Sequence, residues 1–168
     1  MFCSYHCNSG RSYHSYGLSV KEVALNQDSV LKNPQLVIEL ISDTDIIEFA
    51  NKSKASSLRI YCTTKNDSIV LSETNNREHI IFGDIDENLK SDFFDNDKYR
   101  IRIPISFLNN EKEILRFMPD SEILNLIDTS TCINCQIISS YYMQKKESYS
   151  EPFCIPASSV SKLLKERN

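Results

Sequence analysis

KYRIRIPISFLNNEKEILRFM, residues 98–118, changes its apolar rhythm halfway along. Up to Ile105 the period is two: Tyr99, Ile101, Ile103 and Ile105 share one side, and Arg100, Arg102 and Pro104 share the other. From Phe107 onward, Phe107, Leu108, Ile114, Leu115 and Met118 fit a helical spacing. The reading is a half-buried strand over 98–105 that runs into a short amphipathic helix over 107–118.

Outward from that joint, residues 35–41 (QLVIELI) read as a strand and SDTDIIEFANKSKAS as a helix. Ser42 or Asp43 is suited to cap that helix, with Asp45 in its first turn. SLRIYCTT, SIVLSE and EHIIFGDI follow as three strands separated by turn-forming stretches. Beyond Pro119, EILNLID, INCQIISSYYM and EPFCIP read as three more strands, and residues 158–166 as a short closing helix. Residues 19–32 place Val20, Val23, Ala24, Gln27 and Leu31 at helical spacing, and residues 1–17 read as an irregular tail. The expected fold is α+β: a mainly antiparallel sheet with two helices in one domain over 35–168, a helical extension over 18–34 and short extra helices at both ends.

Composition narrows the function classes. With 168 residues and 40% hydrophobic residues the chain suffices for one domain with its own core. A net charge of −4 opposes a protein that coats nucleic acid by charge alone, since that needs a concentrated basic face. Three glycines leave little scope for phosphate-cradling glycine loops. No apolar run reaches the roughly 20 residues of a membrane span, so no membrane partner is expected. The first residues lack the pattern of a secretory signal, and the six cysteines read as reduced thiols of an intracellular protein, nuclear or cytoplasmic.

The element order resembles one domain of a DNA sliding clamp, nearest to the first domain of the Hus-type subunit of the DNA-damage checkpoint clamp. The resemblance rests on SLRIYCTTKNDSIVLSE after the first helix, HIIFGDIDENLKSDFF with its paired aromatics, YRIRIPISFLNNEKEILRFM, SEILNLID with INCQIIS, and EPFCIPASSV with its Ile-Pro pair. It implies a non-enzymatic interaction platform in damage checkpoint or repair, with other subunits or copies of itself as partners and double-stranded DNA held through a ring. Lys52, Lys54, Lys112 and Arg116 would be its DNA contacts. Two departures stand against it. The first helix carries Asp43, Asp45 and Glu48 where a basic face is wanted, and the chain has room for one domain where clamp subunits carry several.

INCQIISSYYM is long, uncharged and free of proline and glycine, and it reads as an unprotected sheet edge. Ile138, Ser140, Tyr141 and Tyr142 are therefore interface candidates. A split zinc site from Cys3, His6, Cys7, Cys132 and Cys135 is weighed against a strand at CINCQII, which points Cys132 and Cys135 to opposite faces. The strand reading prevails, and no metal or cofactor is expected. Two rival functions remain: an acidic partner-binding protein such as a secretion chaperone or toxin-immunity protein, and a small cysteine-dependent effector enzyme using Cys3 or Cys7 with His14 or His79. His79 reads better as a strand pairing residue than as a catalyst.

Overall fold

The structure, a computed structural model, describes residues 11–25, 36–65, 69, 77–86, 89, 91–93, 97–111, 114–141 and 146–167. In chain order its elements are β1 (Arg11–His14), β2 (Ser19–Leu25), β3 (Leu36–Ser42), α1 (Ile46–Lys52), β4 (Ser57–Thr63), β5 (His79–Asp84), β6 (Asp92–Phe93), β7 (Tyr99–Glu111), β8 (Ile114–Phe117), α2 (Asp120–Ile127), β9 (Cys132–Tyr141), β10 (Lys146–Ser150), β11 (Phe153–Pro156) and α3 (Ala157–Arg167). More than half of the described residues are strand. The strands form one sheet in the order β1-β10-β9-β4-β5-β7-β3-β2, with β11 beside β9, and β6 and β8 beside β7.

This corrects the expected α+β fold. The sheet is mixed, because β1 runs parallel to β10, and it curls into a half-barrel accompanied by three helices. The helix expected over 107–118 is absent among the described residues: β7 continues as strand to Glu111, and β8 folds back on it with Leu108 opposite Phe117. Phe107, Leu108 and Asn109 are all buried, because both faces of β7 are covered there, and consecutive apolar residues on a doubly covered strand mimic helical spacing. The second helix instead occupies Asp120–Ile127, where a strand was expected. Pro119 ends the hairpin, Asp120 and Glu122 favour a helix N-terminus, and Ile123 and Ile127 bury one turn apart.

No N-terminal helix forms over the described part of 19–32, and residues 26–32 lie outside the described residues. Ser19–Leu25 is β2, and its pairing with β3 shifts register between Val20 and Glu22. One extra residue, Lys21, thus separates Val20 from Val23, which pair with Leu40 and Ile38 on the same face. The bulge makes a period of two look like a spacing of three. At the first helix, Asp45 is the cap, accepting from the Glu48 N–H at 3.0 Å, in place of Ser42 or Asp43. The expected strand SIVLSE lies outside the described residues except for Ile69.

Inside the curl, Ile38, Leu40, Ile60, Ile101, Ile103 and Ile137 meet Ile123 and Ile127 of α2 and Val160 and Leu164 of α3. A smaller cluster of Tyr61, Ile138 and Tyr149 packs on the outer face. The bend is made where β7 changes partner, from β3 along 99–105 to β5 along 106–109. Pro104 sits at that change and brings no N–H to the ladder. Opposite it, Gly83 lies so close that a Cβ would stand 2.3 Å from the Pro104 carbonyl oxygen and 3.0 Å from Ile60 Cγ2.

β1 and β2 occupy opposite ends of the strand order, yet only residues 15–18 connect them. The curl brings the ends together: β2 packs against β11 and α3. The Glu151 carboxylate accepts from the Tyr16 N–H at 2.8 Å and the Leu18 N–H at 2.9 Å, and the Asp43 N–H donates to the Tyr16 carbonyl at 2.7 Å. Gly17 between them has φ +61°, and a Cβ there would fall 2.1 Å from Asp43 Oδ2. The Tyr16 ring is buried and meets Phe49 of α1 edge-on at 5.5 Å. Part of the stretch read as a tail is therefore a strap across the mouth of the half-barrel.

Candidate functional site

The sequence candidates scatter. Lys52 closes α1 and pairs with Glu48 at 2.8 Å, a helical i,i+4 pair. Lys54 follows that helix with φ 58°. Arg116 lies on β8, where it donates to Glu111 at 2.9 Å and to Glu122 at 3.4 Å. Lys112 lies outside the described residues. Of the described candidates, Lys52 and Arg116 stand on different elements and are already engaged by carboxylates.

The interface candidates move inward. β9 is an interior strand, with β4 along one edge and β10 and β11 along the other, so the edge expectation is corrected. Ile138 is buried between Arg59 and Tyr149, Ser140 pairs with Ser57 and Glu147, and the Tyr141 hydroxyl meets Ser53 Oγ at 3.1 Å. Tyr142 lies outside the described residues. The strand is uncharged because Ile137 fills the inner face and Ile138 the outer one.

The cysteine reading is also corrected. Cys62 and Cys135 are direct cross-strand neighbours and form a disulfide, and Cys132 is bonded to Cys154 of β11. Cys132 and Cys135 thus take other cysteines as partners, while Cys3, His6 and Cys7 lie outside the described residues. Among the described residues no cluster of three or more metal-ligating side chains occurs. No described helix is long and apolar enough to cross a membrane.

Two features that the sequence reading passed over come forward. The first is β8, all four of whose residues are exposed. It pairs only with β7 among the described strands. Ile114 is 70% exposed, Leu115 55% and Phe117 36%, and with Tyr13 these are the large exposed apolar side chains among the described residues. The second is a cavity of about 300 Å³ at the open end of β4 and β5, walled by Thr63, Thr64, Lys65, Arg77 and His79 above Ile81 and Leu126.

His79 stands in that wall in a defined orientation. Its Nδ1 lies 2.9 Å from Asn109 Oδ1, and Asn109 Nδ2 donates to the Glu122 carboxylate. A carboxylate can only accept, so the Asn109 amide is oriented with its oxygen toward His79, and Nδ1 carries the proton. Nε2, on the other side of the ring, lies 4.0 Å from Glu78 Oε2. The expected pairing role of His79 is met across the strands by Asn109, its register partner. A signal for the relay exists only in three dimensions, since His79, Asn109, Arg116 and Glu122 come from four elements.

Compared with family models, curated proteins and solved structures, the chain matches none.

Proposed function

We propose that this chain is a partner-binding protein that receives an extended, apolar segment of another protein along β8. The observation that carries this reading is an outer strand whose side chains are exposed, three of the four being large and apolar. Strand addition uses free backbone N–H and C=O groups for affinity and alternate side chains for choice of partner. Along β8 the two kinds of group coincide, and an apolar strand edge left in water is a hazard that proteins otherwise blunt. The one charge on the strand, Arg116, is balanced by Glu111 and Glu122, which favours an apolar occupant over an acidic one. A ring on DNA draws less support, because, of the described candidate contacts, Lys52 and Arg116 lie on different elements and are paired with carboxylates. Two disulfides favour an oxidising compartment over the reducing one expected from the sequence.

Selection of displayed linear peptides against the purified chain tests the reading. Selected peptides are expected to be apolar and extended, and to slow amide exchange at Ile114–Phe117. The double variant Ile114→Lys, Leu115→Lys should keep its melting temperature and lose about tenfold or more in affinity, the equivalent of ~1.4 kcal/mol. Peptides that bind wild type and variant equally, or a wild-type homodimer closed through β8, would overturn it.

A further inference from the structure

We propose that the bridge between Cys132 and Cys154 is a thiol-exchange site, opened by a dithiol while the bridge between Cys62 and Cys135 stays shut. This site is separate from the β8 edge and does not rest on it. The pleat of the strands sends the two bridges to opposite faces of one sheet. Along β9, Ile133, Cys135 and Ile137 are buried, and the half-buried Cys132, Asn134 and Gln136 alternate with them. Along β11, Phe153 and Ile155 are buried, whereas Cys154 and Pro156 are exposed. Cys135 and its partner Cys62 therefore lie in the core, at 0% and 7% exposure. Cys132 and Cys154 share the wet face.

Exchange begins when a thiolate reaches a bridged sulfur, so access decides which bridge reacts. One thiolate of the dithiol bonds to Cys154 Sγ, the bond from Cys154 to Cys132 breaks, and Cys132 leaves as a thiolate. The second thiolate of the dithiol then attacks the first, closes a disulfide within the reagent and releases Cys154 as a thiolate. Two electrons pass to the bridge, the dithiol becomes a disulfide, and its two protons go to Cys132 and Cys154. The same steps in reverse, with the disulfide form as oxidant, close the bridge again. Cys132 does not hand the exchange on to Cys135, because β9 holds the two on opposite faces.

What the outer bridge holds is the C-terminal unit of β11 and α3. Among the described strands β11 pairs with β9 alone, over four residues, and α3 begins at the next residue. The bond runs diagonally across this ladder, since Cys132 is in register with Pro156 and Cys154 with Asn134. It clamps the ladder where the chain leaves it for the helix, beside Pro156, which brings no N–H. Ile155, Val160 and Leu164 drive the unit into the core, and β11 and α3 both pack against β2. With the bridge open, only a short ladder and these apolar contacts keep the unit in place, and elements held in that way open locally. The inner bridge joins β4 to β9, both interior strands, so the sheet keeps its order. The outer bridge thus sets how firmly β11 and α3 close the half-barrel against β2.

Graded reduction of the disulfide-intact chain with dithiothreitol, quenched by alkylation and read site by site by mass spectrometry, tests this. Cys132 and Cys154 are expected to be labelled at least about tenfold faster than Cys62 and Cys135. At the stage when only the outer bridge is open, amide exchange should quicken at least about tenfold over residues 153–167 and stay unchanged in β4 and β5. The double variant Cys132→Ser, Cys154→Ser should show the same quickened exchange without reductant and keep its inner bridge. Glutathione, which has one thiol, should be caught as a mixed disulfide on Cys154. Opening of both bridges together, or of the inner one first, would overturn the proposal. So would capture of glutathione on Cys62 or Cys135, or amide exchange over 153–167 that does not respond when the wild-type outer bridge is opened.

Discussion

Glu151 shows how much one side chain can hold. Burial pushes its carboxyl up, but the N–H groups of Leu18 and Tyr16 outweigh that and set it below the ordinary carboxylate value. A depressed carboxylate stabilises the fold above its unfolded pKa of about 4.3 and loses that contribution as pH falls through the folded value. Glu151→Gln should therefore cost roughly 1–3 kcal/mol near neutrality, as loss of charge-assisted bonds does, and should flatten the acid limb of a stability-versus-pH curve. Tyr16 works at the other extreme, with burial pushing its phenol up to about 12. Its contribution is present below pH ~10 and lost as pH rises toward the folded value, so Tyr16→Phe should unfold less readily in alkali. Gly83→Ala, which drives a methyl against the Pro104 carbonyl, should cost about 1–3 kcal/mol in urea melts; a neutral outcome would mean that the bend is not held there. None of these roles was legible in the sequence, where Glu151 opens an apolar run and Tyr16 sits in a tail-like stretch.

At the level of elements, the sequence reading succeeds where one face is wet. Residues 99–105 alternate as expected: Ile101 and Ile103 are buried, and the Arg102 side chain is 61% exposed. Ile103→Ala should destabilise by roughly 2–5 kcal/mol, as removal of buried methyl groups does. Arg102→Ala should cost about 0.2–1 kcal/mol, because the nearly buried Glu39 that it faces at 3.7 Å keeps Lys21 at 3.4 Å. Chemical denaturation of both variants checks the pair, and equal costs would remove the distinction between the faces of β7. The reading fails where alternation is interrupted for a physical reason: the bulge at Lys21 in β2, the doubly covered end of β7, and a helix at 120–127 only eight residues long. Phe107 to Leu115 contains a strand, a reversal and a second strand, and no single period describes three such pieces. The candidate sites share this limit. β8 was read as helix, and the cavity draws its wall from two strand ends separated by a stretch of sequence with no motif.

Across the whole molecule, β9 is the spine. It pairs with β4, β10 and β11, and both disulfides start from it. Cross-links spanning 73 and 22 residues restrict the unfolded chain, so reduction should lower stability by roughly 2–5 kcal/mol per bridge. Mass spectrometry after alkylation without reductant should leave Cys62, Cys132, Cys135 and Cys154 unlabelled; labelling of all four would return them to the thiol state first expected. The sequence could not show this pairing, since apolar strand cysteines look alike whether bonded or free. The parallel ladder of β1 on β10 has a further consequence, one of timing. Tyr16 is bonded to a residue 135 positions along the chain, and Arg11 is in register with Glu147. A ribosome delivering this protein must therefore leave β1 without this partner until β10 has emerged. Such long-range pairing slows folding to the millisecond-to-second range and exposes open strand edges to other nascent chains and to chaperones meanwhile. For this protein β10 decides when β1 comes to rest.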